Sequence, residues 1–185
     1  KRSNKKIKYI KILKKVELID GSRSISIEPS DNFEVDFQLN YQNKIIDKQR
    51  NVIKFQKDDL NDVVEARTFC LYEDIEKIKK LGLAKGGSLD NAVVVQGDKV
   101  LNIEGLRNQK EFVNHKILDL AGDFLLSGCR ILGKIECHQG GHELSNMFLR
   151  KLLKFTDNYS IIELESRIIS KKLNSEQAIK LAVNA

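Results

Sequence analysis

The stretch from Glu111 to Leu126 admits one regular conformation. Val113, Ile117, Leu120 and Phe124 recur at helical spacing and form an apolar stripe that has to be buried against another layer. On the opposite face His115, Asp119 and Asp123 recur at every fourth residue, so one imidazole and two carboxylates share a side of the same helix. Carboxylates held close to a buried stripe are costly unless something pairs with them. A cation resolves that conflict. Neutral imidazole and carboxylate oxygen both suit Zn²⁺, whose catalytic sites commonly use three protein ligands and leave one position open for water. Taken alone, the spacing also fits an ordinary helix with a solvated polar face.

The rest of the chain divides into a β-rich first third and a helix-rich remainder. Ile7–Ile19 alternates as strands do, Asp20-Gly21-Ser22 supplies a hairpin turn, and Ser24–Ile27 with Phe33–Leu39 continues a sheet that Val52–Phe55 closes. Asp58 and Asp59 cap a short helix through Val64. Tyr72–Leu81 reads as a helix ended by Gly82, and Ala92–Val95 as a buried strand before a turn at Gly97. After the Glu111–Leu126 helix come a strand near Arg130–Cys137, a helix from His142 to Phe155, and a helical tail comprising Ile161–Ser170 and Ser175–Val183. The expected fold class is α+β: a two-layer sheet-and-helix sandwich over residues 1–155, with an inserted β-α-β unit at about 69–103 and a helical tail over 156–185.

A chain of 185 residues, 41% of them hydrophobic, can bury one core. No apolar run approaches the roughly 20 residues that span a bilayer, and the lysine-rich start does not read as a signal peptide. Cys70, Cys129 and Cys137 have neither zinc-ribbon nor redox spacing, so reduced buried thiols in the cytoplasm are expected. The net charge of +6 and the lysines crowding the first 15 residues raise the possibility of a basic RNA-binding domain. Those lysines alternate with Ile7, Ile10, Ile12 and Val16 as a solvated strand face does, and only 6% of residues are aromatic, with no stacking pattern. Nucleic acid is therefore not the expected partner. A cationic edge permits at most peripheral association with the anionic inner membrane.

Five blocks stand in order: Ala66-Arg67-Thr68-Phe69, Gly82-Leu83-Ala84-Lys85-Gly86-Gly87-Ser88, Gly105-Leu106-Arg107, the His115–Asp123 run, and Gly140-Gly141-His142-Glu143-Leu144. Together they resemble the zinc-dependent UDP-3-O-acyl-N-acetylglucosamine deacetylases of lipid A synthesis in Gram-negative bacteria. The resemblance runs from about Ile7 to Leu153 and covers the second of that family's two domains. It implies a mainly antiparallel sheet with helices layered on it. It also implies that the third zinc ligand, a histidine, and the general base, a glutamate, belong to the first domain. No Glu-His pair precedes Thr68 here, so we expect a fragment or incomplete gene product: the second domain of the enzyme, or a non-catalytic remnant of it.

The resemblance makes His115 and Asp119 the zinc ligands and pairs Asp123 with His142. A carboxylate accepting from an imidazole favours the protonated ring, which can stabilise an oxyanion and then protonate a departing amine. Gly140 and Gly141 would let the backbone turn sharply into a helix that starts at His142. By the same resemblance Thr68 gives a hydroxyl donor to the oxyanion, Phe69 packs on the sugar, Lys116 points off the metal face toward the substrate diphosphate, and Tyr41 offers its ring to the uracil. The insert encloses the fatty acyl chain. Ile75, Ile78, Leu83, Leu89, Val93 and Val95 are its walls, while Gly82, Ala84, Gly86, Gly87 and Ser88 keep the passage open. The substrate implied is a UDP-sugar carrying an acyl chain, and His138 is read as structural.

Overall fold

The computed structural model describes residues 6–164. Among the described residues ten strands and four α-helices run in the order β1 (Ile7–Ile12), β2 (Val16–Asp20), β3 (Arg23–Glu28), β4 (Phe33–Asn40), β5 (Lys48–Lys54), α1 (Asn61–Val64), β6 (Thr68–Leu71), α2 (Ile75–Lys80), β7 (Ala92–Gln96), β8 (Lys99–Val100), α3 (Glu111–Leu125), β9 (Arg130–His138), α4 (His142–Lys154) and β10 (Tyr159–Leu164). Seven strands form the main sheet, and β6, β7 and β8 form a small one. This is the expected α+β sandwich.

β9 organises the main sheet. Arg130–Leu132 pair in parallel with β1, and the strand then pairs in parallel with β4 and antiparallel with β3. The register lines up Ile27, Ile135 and Val35, and likewise Ile25, Cys137 and Phe37, across three strands, so the middle of one face is apolar. Alternate residues carry charge to the other face, where Arg50 pairs with Asp36 and Lys134 bridges Glu28 and Glu136. At Gly133 the strand passes so close to its neighbours that an added Cβ would lie 2.8 Å from Ile12 Cγ1 and 2.9 Å from Ile27 Cδ1.

α3 and α4 cover the apolar face. α3 buries Phe112, Val113, Ile117, Leu120 and Phe124, and α4 buries Leu144, Phe148, Leu149 and Leu152, with the rings of Phe124 and Phe148 6.0 Å apart. The stripe read from the sequence is thus the buried one, and His115, Asp119 and Asp123 are left on the side away from the sheet.

The small sheet and α2 make the inserted unit. β6 and β7 pair in parallel with α2 crossing between them, so the β-α-β reading holds as geometry. The tail reading does not hold where the structure describes it. Ile161–Leu164 belong to β10, which runs antiparallel to β1 with Ile161 opposite Ile10 and Leu164 opposite Ile7. Tyr-Ser-Ile-Ile-Glu-Leu is β-branched and alternating, and the unpaired edge of β1 supplies the hydrogen bonds that decide in favour of a strand. The remainder of the expected tail lies outside the described residues. No helix among the described residues is long and apolar enough to cross a membrane.

Candidate active site

The polar face of α3 and the first residue of α4 meet. His115 Nε2 lies 3.3 Å from Asp119 Oδ1, with both side chains largely buried. His115 Nδ1 lies 3.3 Å from the Ala66 carbonyl oxygen, an acceptor only, so Nδ1 carries the proton and Nε2 keeps its lone pair. Burial lowers the basicity of the His115 ring, partly offset by Asp119 and the Ala66 hydrogen bond, which favours the neutral form that binds metals.

Donor type and spacing both fit zinc. Two ligand atoms bound at about 2.0–2.1 Å in tetrahedral geometry stand about 3.3–3.4 Å apart. The Nε2 to Oδ1 separation of 3.3 Å matches that edge. Among the described residues, however, no three His, Cys, Asp or Glu side chains are grouped to hold a metal ion. His115 and Asp119 are two donors of suitable type and spacing, and not a complete set.

His142 begins α4 with its Nδ1 2.9 Å from Asp123 Oδ1 and 3.0 Å from Oδ2. That contact fixes the ring, and Nε2 faces Asp119 Oδ2 at 3.9 Å. The glycines before it work differently from the sequence reading. Gly141 is extended at φ −167°, and the left-handed residue is Gln139 at φ 54°, tied by its side-chain amide to the Asn40 backbone. Gly140 is small for another reason: a Cβ there would run into Cys137 Sγ and crowd Phe37.

Lys116 also departs from its reading. It does not point off the metal face, because three residues along a helix lie on one side: its Nζ sits 3.3 Å from Asp119 Oδ2 and 5.7 Å from the Phe69 ring centroid. Phe69 stacks edge-on against Phe112 at 5.0 Å, Tyr41 at 5.8 Å and His115 at 6.5 Å. Tyr41, Phe69, Lys116 and the His–Asp pair are therefore contiguous. Thr68, exposed at the start of β6, lies two residues past the Ala66 carbonyl that holds His115.

Beyond Phe69 a cavity of about 700 Å³ opens in the insert. Thr68, Phe69, Ile75, Ile78, Ala84, Gly86, Gly87, Ser88 and Leu89 line it, as do Cys70, Tyr72, Ala92, Val94 and Leu101, which the sequence reading did not single out. Val93 and Val95 are not walls. Strand alternation turns them into the core at 0% exposure and gives the cavity face to Ala92 and Val94. Leu83 is exposed away from the lining, and Gly82, at φ 70°, ends α2. His138 follows core-facing Cys137 on β9 and so turns to the other face of the sheet, with Nδ1 3.3 Å from the Ser22 carbonyl oxygen.

Fold and site define a class: an α+β domain whose buried helix presents a His–Asp pair spaced for zinc, flanked by a carboxylate-oriented histidine and an apolar cavity. The chain belongs to the family whose model is described as LpxC, UDP-3-O-acyl N-acetylglycosamine deacetylase, which matches residues 1–154. The UDP-3-O-acyl-N-acetylglucosamine deacetylase of Campylobacter fetus is 40% identical over 161 residues, covering 86% of this chain and 55% of that protein. Its counterpart in Geobacter sp. strain M21 is 37% identical over 175 residues, covering 94% and 57%. That of Campylobacter lari is 38% identical over 159 residues, covering 85% and 54%. The chain spans about half the length of the curated relatives it matches.

Proposed function

We propose that this chain supplies the second domain of a cytoplasmic, zinc-dependent deacetylase that removes the N-acetyl group of UDP-3-O-(3-hydroxyacyl)-N-acetylglucosamine, the committed step of lipid A synthesis. The observation that carries the reading is the His115–Asp119 pair at tetrahedral spacing beside the His142–Asp123 pair, 3.3 Å and 2.9 Å respectively. His115 Nε2 and Asp119 Oδ1 would hold zinc, with the remaining protein ligand and the general base coming from the half of the family that this chain does not span. Bound there, zinc supplies Lewis acidity at the acetamide carbonyl and lowers the pKa of water toward about 7.

The chain's own groups then divide the work. Water adds to the acetamide carbon as the general base of the half this chain does not span takes its proton, and the oxygen that gains charge faces the Thr68 hydroxyl and His142 Nε2. The C–N bond breaks as protonated His142 gives its Nε2 proton to the amine, while Asp123 holds the ring through Nδ1–H. Phe69 packs on the sugar, Lys116 pairs with the diphosphate, and the Tyr41 ring meets the uracil. The cavity takes the acyl chain, with Ile75, Ala84, Gly87, Ser88 and Leu89 as its contacts.

The test uses the full-length protein containing this chain. Acetate release from the UDP-sugar should stop on chelation and return with zinc, and Asp119→Ala should lose bound zinc. Full turnover in the chelated protein would overturn the zinc reading.

A further inference from the structure

Arg67 and Glu111 lie outside the metal donor set, yet they are buried at 4% and 0% exposure. Glu111 Oε1 accepts from Arg67 Nε at 2.8 Å and from the Arg67 backbone N–H at 3.1 Å. Its Oε2 accepts from Arg67 Nη2 at 3.2 Å and from the Arg107 backbone N–H at 2.7 Å. The rest of the guanidinium is used as well: Nη2 donates to the Gly105 carbonyl at 2.7 Å, and Nη1 pairs with Glu104. One side chain thus gathers both necks of the inserted unit, residue 67 before β6 and residues 104–105 after β8, and pins them to the first turn of α3.

A buried ion pair is a poor device for stability alone, because desolvation offsets most of its attraction and an apolar pair of similar volume does as well. What an apolar pair cannot do is fix directions. Here direction matters, because the groups that flank the clamp are the ones the proposed reaction uses. Ala66 gives its carbonyl to His115 Nδ1, Thr68 carries the hydroxyl, and Glu111 stands one helical turn before His115.

We propose that Arg67 and Glu111 are positioning residues whose ion pair holds Ala66–Thr68 against the first turn of α3, so that His115 keeps its Nδ1–H tautomer and Thr68 its place at the reacting carbonyl. The proposal rests on the roles of His115 and Thr68 given above. Partners outside the ligand shell orient a metal-binding histidine, and losing one typically lowers metal affinity or activity 10- to 100-fold.

The full-length protein is compared with Arg67→Met/Glu111→Leu, which fills the space without charge or direction, and with Glu111→Gln, which keeps volume and an acceptor if the double variant does not fold. Three quantities are read: thermal unfolding, the His115 ring nitrogens by ¹⁵N NMR in metal-free protein, and kcat against KM. We expect a folded variant in which His115 passes from a single Nδ1–H form to a mixture of tautomers. We also expect kcat to fall about 10- to 100-fold with KM changed less than about threefold. An unchanged tautomer in a folded variant overturns the proposal whatever kcat does. The NMR readout needs neither zinc nor turnover, so a tautomer change in a protein that neither holds zinc nor deacetylates supports the clamp while sinking the functional reading.

Discussion

Asp123 receives the Nδ1–H of His142 on both carboxylate oxygens, at 2.9 and 3.0 Å, and this joins the last turn of α3 to the first residue of α4 across 19 positions of sequence. The contact spans the seam between the two helices that cover the sheet, so ring orientation is set by the packing of α3 on α4. His142 is itself 68% exposed, and Asp123 alone among the described side chains fixes its Nδ1.

Asp123→Asn tests that division of labour. Asparagine keeps an acceptor oxygen but loses the charge and one of the two contacts. In the full-length enzyme we expect kcat to fall about 10- to 100-fold, as when the orienting partner of a functional histidine is weakened. Zinc content, measured by metal analysis, should stay at the parental level, because the proposed donors are His115 and Asp119. Loss of metal in this variant would instead put Asp123 in the metal site, as a ligand or as the carboxylate that orients one.

The cavity can be tested at Ala84. This residue lines it and holds φ 51°, a left-handed conformation that glycine adopts more easily. Ala84→Gly should leave stability equal or slightly higher and serves as the folding control. Ala84→Phe fills the passage, where each excluded methylene forfeits about 0.8 kcal/mol of burial. For long-chain substrates kcat/KM should therefore drop by a far larger factor than for a short-chain analogue. Equal losses for both substrates would point to misfolding, and no loss for either would remove the segment from the acyl site.

Much of this site was legible because helical spacing is rigid: residues four apart share a face, so His115, Asp119 and Asp123 could be placed together before any fold was known. Spacing does not say what approaches that face from elsewhere in the chain. The Arg67–Glu111 pair spans 44 positions, and a helix-initiating Glu beside an Arg-containing block gave no sign of burial. Local pattern also underdetermines strands. The Val93–Val95 run has no polar residue to mark its cavity side, and Ile161–Leu164 reads as helix until the open edge of β1 is known. At Gly140 the sequence shows a small residue but not the Cys137 sulfur that requires it.

Cys137 offers a check on the core behind the site. Burial pushes its thiol up to about 12, against the smaller downward pulls of the Gly140 N–H and Lys116. At pH 8 only about one thiol in 10⁴ is then ionised, and the thiolate is the reactive species. Iodoacetamide at pH 8 should leave Cys137 unmodified in the folded protein and alkylate it on unfolding, as followed by peptide mass spectrometry. Rapid labelling in the native state would mean that the seat of Gly140 and His142 opens readily.

The last expectation concerns the 185-residue chain by itself. With two proposed zinc donors and no proposed general base, it should lose zinc on dialysis and release no acetate, while circular dichroism reports the mixed α and β content of the fold. Chelator-sensitive turnover by this chain alone would sink that expectation and require another histidine to complete the metal site. The geometry already restricts which one. His138 follows core-facing Cys137 on β9 and so turns to the opposite face of the sheet, toward the Ser22 carbonyl, whereas His142 Nε2 stands 3.9 Å from Asp119 Oδ2. Zinc retained by the isolated chain and lost in His142→Ala would therefore make His142 a ligand in place of a proton donor, and the roles proposed for Asp123 and His142 would have to be exchanged for those of a metal ligand and its orienting carboxylate.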